Sequence, residues 1–260
     1  MILDQIVAAT AKRVAVLKET TTLDALKSQA KRSEKPFAFE QALARKAAAG
    51  EIAFICEVKK ASPSKGVIAV DFPYLEIARD YQAAGADAIS VLTEPDFFQG
   101  ANTYLTAIKD QVSIPVLRKD FIIDAIQIYE ARLIGADAIL LICSILDTET
   151  IREYLEIADA LGLSALVEAH DEAEVKQALA AGARVIGVNN RNLKTFEVDL
   201  NNSIRLRQLV PPEILFVSES GIRTAEDIAK LRENGTNAVL IGETLMRSGD
   251  KKAALDQLRG

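Results

Sequence analysis

Four glycine-led segments recur along the chain, and their spacing restricts the folds open to it: Gly85-Ala-Asp-Ala-Ile89, Gly135-Ala-Asp-Ala-Ile139, Gly182-Ala-Arg-Val-Ile186 and Gly235-Thr-Asn-Ala-Val239. The leading glycines lie 50, 47 and 53 residues apart. Each follows a helix-like stretch, and each segment ends by opening a short β-rich run, as a helix C-cap leading into a strand would. A repeat of this length is about twice a single βα unit. Four further strand-like runs fall between the repeats: Ala53–Val58, Ile114–Lys119, Ser164–Glu168 and Ile214–Glu219. Amphipathic helices are predicted at Tyr74–Ala84, Ala125–Ile134, Thr148–Leu161, Glu172–Ala181 and Thr224–Asn234. Strands alternating with helices imply a parallel sheet. Eight such units in 260 residues predict an α/β fold, a (β/α)8 TIM barrel. A doubly wound sheet is the structural alternative, but no G-x-G-x-x-G follows the first strand, which weakens a dinucleotide-binding version.

Residues 1–50 precede the eight units and read as extra N-terminal helices at Leu3–Thr20, Leu23–Arg32 and Phe39–Ala49. Two roles are open to them: packing against a barrel end, or, for the first helix, covering one mouth. No linker sets them apart, so residues 1–260 are read as one barrel domain with a helical extension.

A chain that is 49% hydrophobic can bury a substantial core without a disulfide or metal. Its net charge of −6 argues against nucleic acid or an anionic membrane as partner. No apolar run approaches the roughly 20 residues that span a bilayer. The start, Met1-Ile-Leu-Asp-Gln-Ile-Val7, lacks the basic and long apolar regions of a signal peptide. Cys56 and Cys143 both sit in apolar runs, which predicts a reducing, cytoplasmic setting with no disulfide or Cys-ligated zinc. His170 is the single histidine, so a His-rich metal site is excluded and acid–base work falls to Glu, Asp and Lys.

Alternate residues of a barrel strand point inward. Glu57 and Lys59 share one phase; Lys119 is in phase with Leu117, Glu168 with Leu166, Glu219 with Val217 and Asn189 with Gly187. The five charges end the odd-numbered strands, at the face where (β/α)8 active sites lie. A single buried charge is ordinarily a structural salt bridge, whereas five converging on one mouth have no packing explanation. Two glycine turns, Ser220-Gly221-Ile222 and Ile241-Gly242-Glu243-Thr244, follow the seventh and eighth strands, where barrels hold phosphate on backbone N–H groups. Ser62-Pro63-Ser64-Lys65-Gly66 adds a hydroxyl and a cation after the first strand, and Asn189 beside Arg191 suits a polyhydroxylated phosphate ester.

Glu57-Val-Lys-Lys-Ala-Ser-Pro-Ser-Lys-Gly66 resembles the first-strand motif of the indole-3-glycerol phosphate synthase family of tryptophan biosynthesis. Leu117-Arg-Lys-Asp-Phe-Ile122, Leu166-Val-Glu168, Gly187-Val-Asn-Asn-Arg-Asn-Leu193 and Ser218-Glu-Ser-Gly-Ile222 resemble its later motifs, in order. Ala61 departs from the basic residue of some members. The resemblance implies a lyase that closes the ring of a carboxyphenylamino-deoxyribulose phosphate, losing CO2 and water, with no metal and no organic cofactor. It implies a small phosphosugar substrate and, as further partners, other enzymes of the pathway. Lys119 would be the general acid of ring closure, its pKa lowered by neighbouring cations. Lys59 would hold the substrate carboxylate and protonate the leaving hydroxyl. Glu57 and Glu168 would share the base and the stabilisation of positive charge, in an order left open. Asn189 and Glu219 would position hydroxyls and lysines. Ser62, Arg191, Gly221 and Gly242 would hold phosphate, and Ser220 stands with both the phosphate turn and the catalytic set. Phe121, Leu193 and Leu245 would line an aromatic pocket or pack in the core. An aldolase with Lys119 as Schiff base, a phosphate-binding module without turnover and a structural protein are the competing readings.

Overall fold

The computed structural model describes residues 1–192 and 195–260. Eight parallel strands close on themselves: β1 Ala53–Val58, β2 Ala88–Leu92, β3 Val116–Lys119, β4 Ala138–Ile142, β5 Ser164–Ala169, β6 Val185–Asn189, β7 Leu215–Glu219 and β8 Ala238–Ile241. The closing pair runs from Ala53 beside Ala238 to Cys56 beside Ile241. The (β/α)8 barrel expected from the repeat is present, with helices on its outside. Ala53, Ile55, Leu117, Leu166, Val217 and Leu240 fill the interior, while Phe54, Cys56 and Val58 face the surrounding helices. The two-residue phase therefore runs as predicted.

The repeat has a local cause. Gly85, Gly135, Gly182 and Gly235 all adopt positive φ, between 79° and 95°, where a side chain would be strained. Two residues after Gly85, Gly135 and Gly235 a carboxylate or amide caps the adjacent strand, whereas Gly182 is followed by Arg184. Asp87 Oδ2 accepts the Phe54 N–H at 2.9 Å, Asp137 Oδ2 that of Val116 at 2.8 Å, and Asn237 Oδ1 that of Phe216 at 2.8 Å. Each satisfies a donor that the parallel ladder leaves unpaired at the barrel's N-terminal rim.

The N-terminal helices divide the two roles open to them. α1 (Ile2–Thr20) crosses the C-terminal mouth, where Ile2, Leu3 and Ile6 line the cavity. α2 (Leu23–Gln29) joins Val14 and Ile126 in a small separate core. α3 (Ala38–Ala48) plugs the opposite end, with Phe39 and Leu43 fully buried against the barrel interior. The predicted second helix stops at Gln29 rather than Arg32. The third strand starts at Val116 rather than Ile114, because Pro115 has no N–H to give the ladder.

Candidate active site

A cavity of about 490 Å³ opens at the C-terminal mouth, beneath α1. The strand ends deliver its charges. Lys119 Nζ, on β3, donates to Glu168 Oε2 of β5 and to Glu219 Oε2 of β7, at 2.8 Å each. Lys59 Nζ, just past β1, donates to Glu57 Oε1 at 2.5 Å. Asn189 Nδ2, closing β6, donates to Glu168 Oε1 at 3.3 Å. All of these residues line the cavity.

The sequence reading placed Lys119 among cations and expected its pKa to fall; the structure corrects this. Burial does pull it down, but Glu168, Glu219 and Glu57 outweigh burial and hold it far above the ordinary lysine value. Lys119 is an ammonium ion throughout the physiological range. The two glutamates it joins are driven apart. Burial pushes Glu168 up, but Lys119 and His170 overcome this and hold it well below the usual carboxylate range. Burial also pushes Glu219 up; Lys119 opposes this, Glu168 repels a second negative charge, and the net direction is upward.

Two glycines create the room for this cage. A Cβ on Gly187 of β6 would lie 2.2 Å from Glu219 Oε1, and one on Gly242 would lie 2.4 Å from Glu57 Oε1 and 2.8 Å from Lys59 Nζ. Gly242 was read as a phosphate-turn residue; the structure adds that its bareness is what admits the Glu57–Lys59 pair.

Ser220 and Gly221 take successive left-handed conformations, φ 69° and 86°, the geometry that aims neighbouring N–H groups to one side. Asn190 Nδ2 holds this turn through Ser220 O at 3.1 Å. Thr244 Oγ1 donates to Ile222 O at 2.9 Å and ties it to the Gly242 turn. Ser62, Arg191, Ser220, Gly221 and Gly242 all line this side of the cavity, together with Arg223 and Lys65. Arg191 donates its Nη1 to Phe196 O at 3.2 Å. Phe121 lines the cavity and tilts against Phe98, centroids 6.0 Å apart. Leu245 does not reach the cavity; it is fully buried in the outer core. Leu193 lies outside the described residues. Ala61 is buried in a short hairpin, Ala61–Ser62 against Gly66–Val67, and is not a lining residue.

The roof realises the mouth-covering role open to the first helix, while Arg13 and His170 are additions to the sequence expectations. Ile2, Leu3 and Ile6 supply an apolar roof, signalled only as one face of an amphipathic helix. Arg13 pins that roof: Nη1 donates to buried Glu94 at 2.5 Å and to Asp96 at 2.9 Å. His170 stands 3.4 Å from Glu168. Among the described residues, no group of three or more His, Cys, Asp or Glu side chains is placed to hold a metal ion.

A closed (β/α)8 barrel with paired lysines and glutamates at its C-terminal mouth defines a barrel enzyme whose chemistry is carried by side chains. The solved 3-hexulose-6-phosphate synthase from Salmonella typhimurium superposes with a TM-score of 0.66 at 15% identity, covering 80% of this chain and 96% of its own, which speaks for the fold alone. The family model for indole-3-glycerol phosphate synthase matches residues 3–258. An indole-3-glycerol phosphate synthase from Ruminiclostridium cellulolyticum is 64% identical over all of this chain and 99% of its own. One from Endomicrobium trichonymphae is 57% identical over the full length of both. The chain belongs to the indole-3-glycerol phosphate synthase family.

Proposed function

We propose that this chain, working as one domain over residues 1–260, converts 1-(2-carboxyphenylamino)-1-deoxyribulose 5-phosphate to indole-3-glycerol phosphate in the cytoplasm, without metal or organic cofactor. The observation that carries the chemical reading is Lys119 held between Glu168 and Glu219 at the floor of a roofed cavity. No helix among the described residues is long and apolar enough to cross a membrane.

The ring carbon bearing the carboxylate attacks the sugar ketone, and the ketone oxygen takes a proton from Lys119. CO2 leaves with its bonding electron pair returned to the ring, which restores aromaticity. The hydroxyl then departs as water with a proton from Lys59, and a glutamate takes a proton from the carbon next to the ring nitrogen. The high pKa of Lys119 keeps the acid loaded but makes it a reluctant donor. Its first contribution is therefore to hold the developing oxyanion by charge and hydrogen bond. Proton transfer follows as the ketone oxygen gains basicity. Glu57, paired with Lys59, and Glu168 are the candidate bases, and the raised Glu219 is able to return a proton to Lys119. Asn189 orients Glu168.

Phosphate binds on the Ser220–Gly221 and Gly242 turns, with Arg191 and Ser62 at the edge; the paired left-handed residues and cavity-facing position support this. The aromatic ring lies against Phe121 under the α1 roof. A Schiff-base aldolase reading fares worse, since an ammonium ion locked by two carboxylates is not a nucleophile. The test is turnover: the purified chain with this substrate should release indole fluorescence and CO2 in equal amounts. Borohydride trapping should leave no lysine adduct. A trapped adduct with no indole would transfer the protein to the aldolase reading.

A further inference from the structure

The one histidine of the chain lies two residues beyond Glu168, and the reaction outlined above gives it no task. His170 follows β5 and is mostly buried. Its Nδ1 stands 3.0 Å from Glu174 Oε2 on α4 (Glu172–Ala181), and the same oxygen accepts the His170 backbone N–H at 2.7 Å. Its Nε2 faces Glu168 Oε1 at 3.4 Å and, among the described residues, makes no hydrogen bond although buried. A neutral imidazole carries one N–H and one bare nitrogen. Either neutral tautomer here sets a bare nitrogen against a carboxylate oxygen, at 3.0 Å or at 3.4 Å. The imidazolium offers an N–H to both.

We propose that His170 is a positioning residue for Glu168: fixed by Glu174, it stands as an imidazolium whose Nε2–H faces Glu168, so that Glu168 keeps a counter-charge when Lys119 turns to the substrate. The inference rests on the proposed function, because only there does Lys119 have to leave one of its carboxylates. Without His170, that departure would strand a buried negative charge, a costly state that the site would escape by protonating Glu168. No proton passes through the histidine; its contribution is charge and orientation.

The groups around His170 agree. Glu168 and Glu174 flank the ring, Glu219 acts at longer range, and Asp171 beside it caps α4. Asn202 Nδ2 donates to the His170 carbonyl at 3.0 Å from α5 (Asn201–Arg207). The Cys143 thiol, behind Glu174, is pushed up to about 12 by burial and by Glu174, Glu168 and Asp171, so it brings no competing charge. Burial pulls the imidazole down, but Glu174 and Glu168 outweigh it and hold it above the ordinary histidine value.

Because the histidine is single, isotope-labelled imidazole gives one resonance whose titration needs no assignment and no turnover. In the wild-type chain it should titrate above the ordinary value of about 6.5, and Glu174→Gln and Glu168→Gln should each lower it. A value at or below the ordinary one, or one indifferent to Glu168→Gln, overturns the proposal. Kinetically, His170→Gln should leave KM within about twofold and move the acid limb of kcat upward by about one pH unit, a tenfold larger loss on that limb. An unmoved limb also overturns it. Should His170→Gln not fold, Glu174→Gln must shift the limb in the same direction. An inactive wild type would sink the proposed function, while the titration reads the histidine regardless.

Discussion

Gly187→Ala adds one methyl group, and the structure says where it goes. The new Cβ would sit 2.2 Å from Glu219 Oε1 and 3.0 Å from Leu166 Cδ1, inside the barrel. Non-bonded carbon and oxygen need more than 3 Å, so the Glu219 carboxylate has to retreat by about 1 Å. It cannot swing into water, being buried, and its other oxygen is held by Lys119 at 2.8 Å. The displacement therefore passes to Lys119. A misplacement of about 1 Å in a catalytic constellation can cost on the order of a hundredfold in rate. Overpacking of this kind costs about 1–3 kcal/mol in stability, a fall in Tm of roughly 2–12 °C for a chain of this size. Gly182→Ala is the control: nothing lies within 4 Å of its Cβ, but its φ of +93° makes it pay backbone strain far from the mouth. Steady-state fluorescence and thermal melts on both variants give the comparison. Gly187→Ala should lose roughly a hundredfold in kcat and Gly182→Ala none, at similar Tm. A folded Gly187→Ala with kcat within twofold of wild type would refute the claim that the Glu219–Lys119 geometry limits the reaction.

Three further outcomes follow from the same geometry. EDTA should leave activity intact, since no metal-holding group of side chains occurs among the described residues; loss with chelator and recovery with a divalent ion would contradict the side-chain mechanism. Phe39→Ala removes the plug at the barrel's far end and should cost about 3–5 kcal/mol in denaturant melts while kcat of the folded enzyme stays unchanged; a matching loss of kcat would break the separation of the two faces. The raised pKa of Glu219 means that the native state holds a proton which the unfolded chain has released, so its contribution to stability falls as pH rises from the ordinary carboxylate range through the folded value. Glu219→Gln should therefore gain in Tm relative to wild type at about pH 8 compared with about pH 5, and the opposite trend would assign the shared proton to Glu168.

The parts of the site governed by strand phase were legible from the residues, because a two-residue period fixes which side chains enter a barrel. Glu57, Lys59, Lys119, Glu168, Asn189 and Glu219 all face the cavity as read. Partnership was not legible. Which carboxylate meets Lys119 depends on the stagger of β5 and β7 across the barrel, a property of closure that no single strand carries. That is why the residues alone point to cations, and not to carboxylates, as the neighbours that set the acidity of Lys119. Amphipathic faces showed that α1 and α3 bury something, but an apolar stripe does not name its target, and one helix roofs the site while the other plugs the far end. Leu245 lies just past the Gly242 turn yet points into the core, since α6 (Glu243–Arg247) turns it away from the mouth. His170 carried no pattern at all; its significance comes from Glu174, one helical turn into the next element.

The division of labour between the two lysines is the central claim, and single-turnover measurement of CO2 release alongside indole formation tests it most directly. Among the described residues Lys119 alone bridges Glu168 and Glu219, while Lys59 pairs with Glu57 on the adjoining wall. Lys119→Ala should block the reaction before CO2 appears, by about 10²–10⁴-fold or more, because the ketone then lacks its acid and its oxyanion partner. Lys59→Ala should release CO2 faster than it forms indole and should also bind substrate more weakly. If Lys119→Ala instead released CO2 at the wild-type rate and stalled before indole, the two lysines would have to exchange roles and the account of ring closure would be wrong.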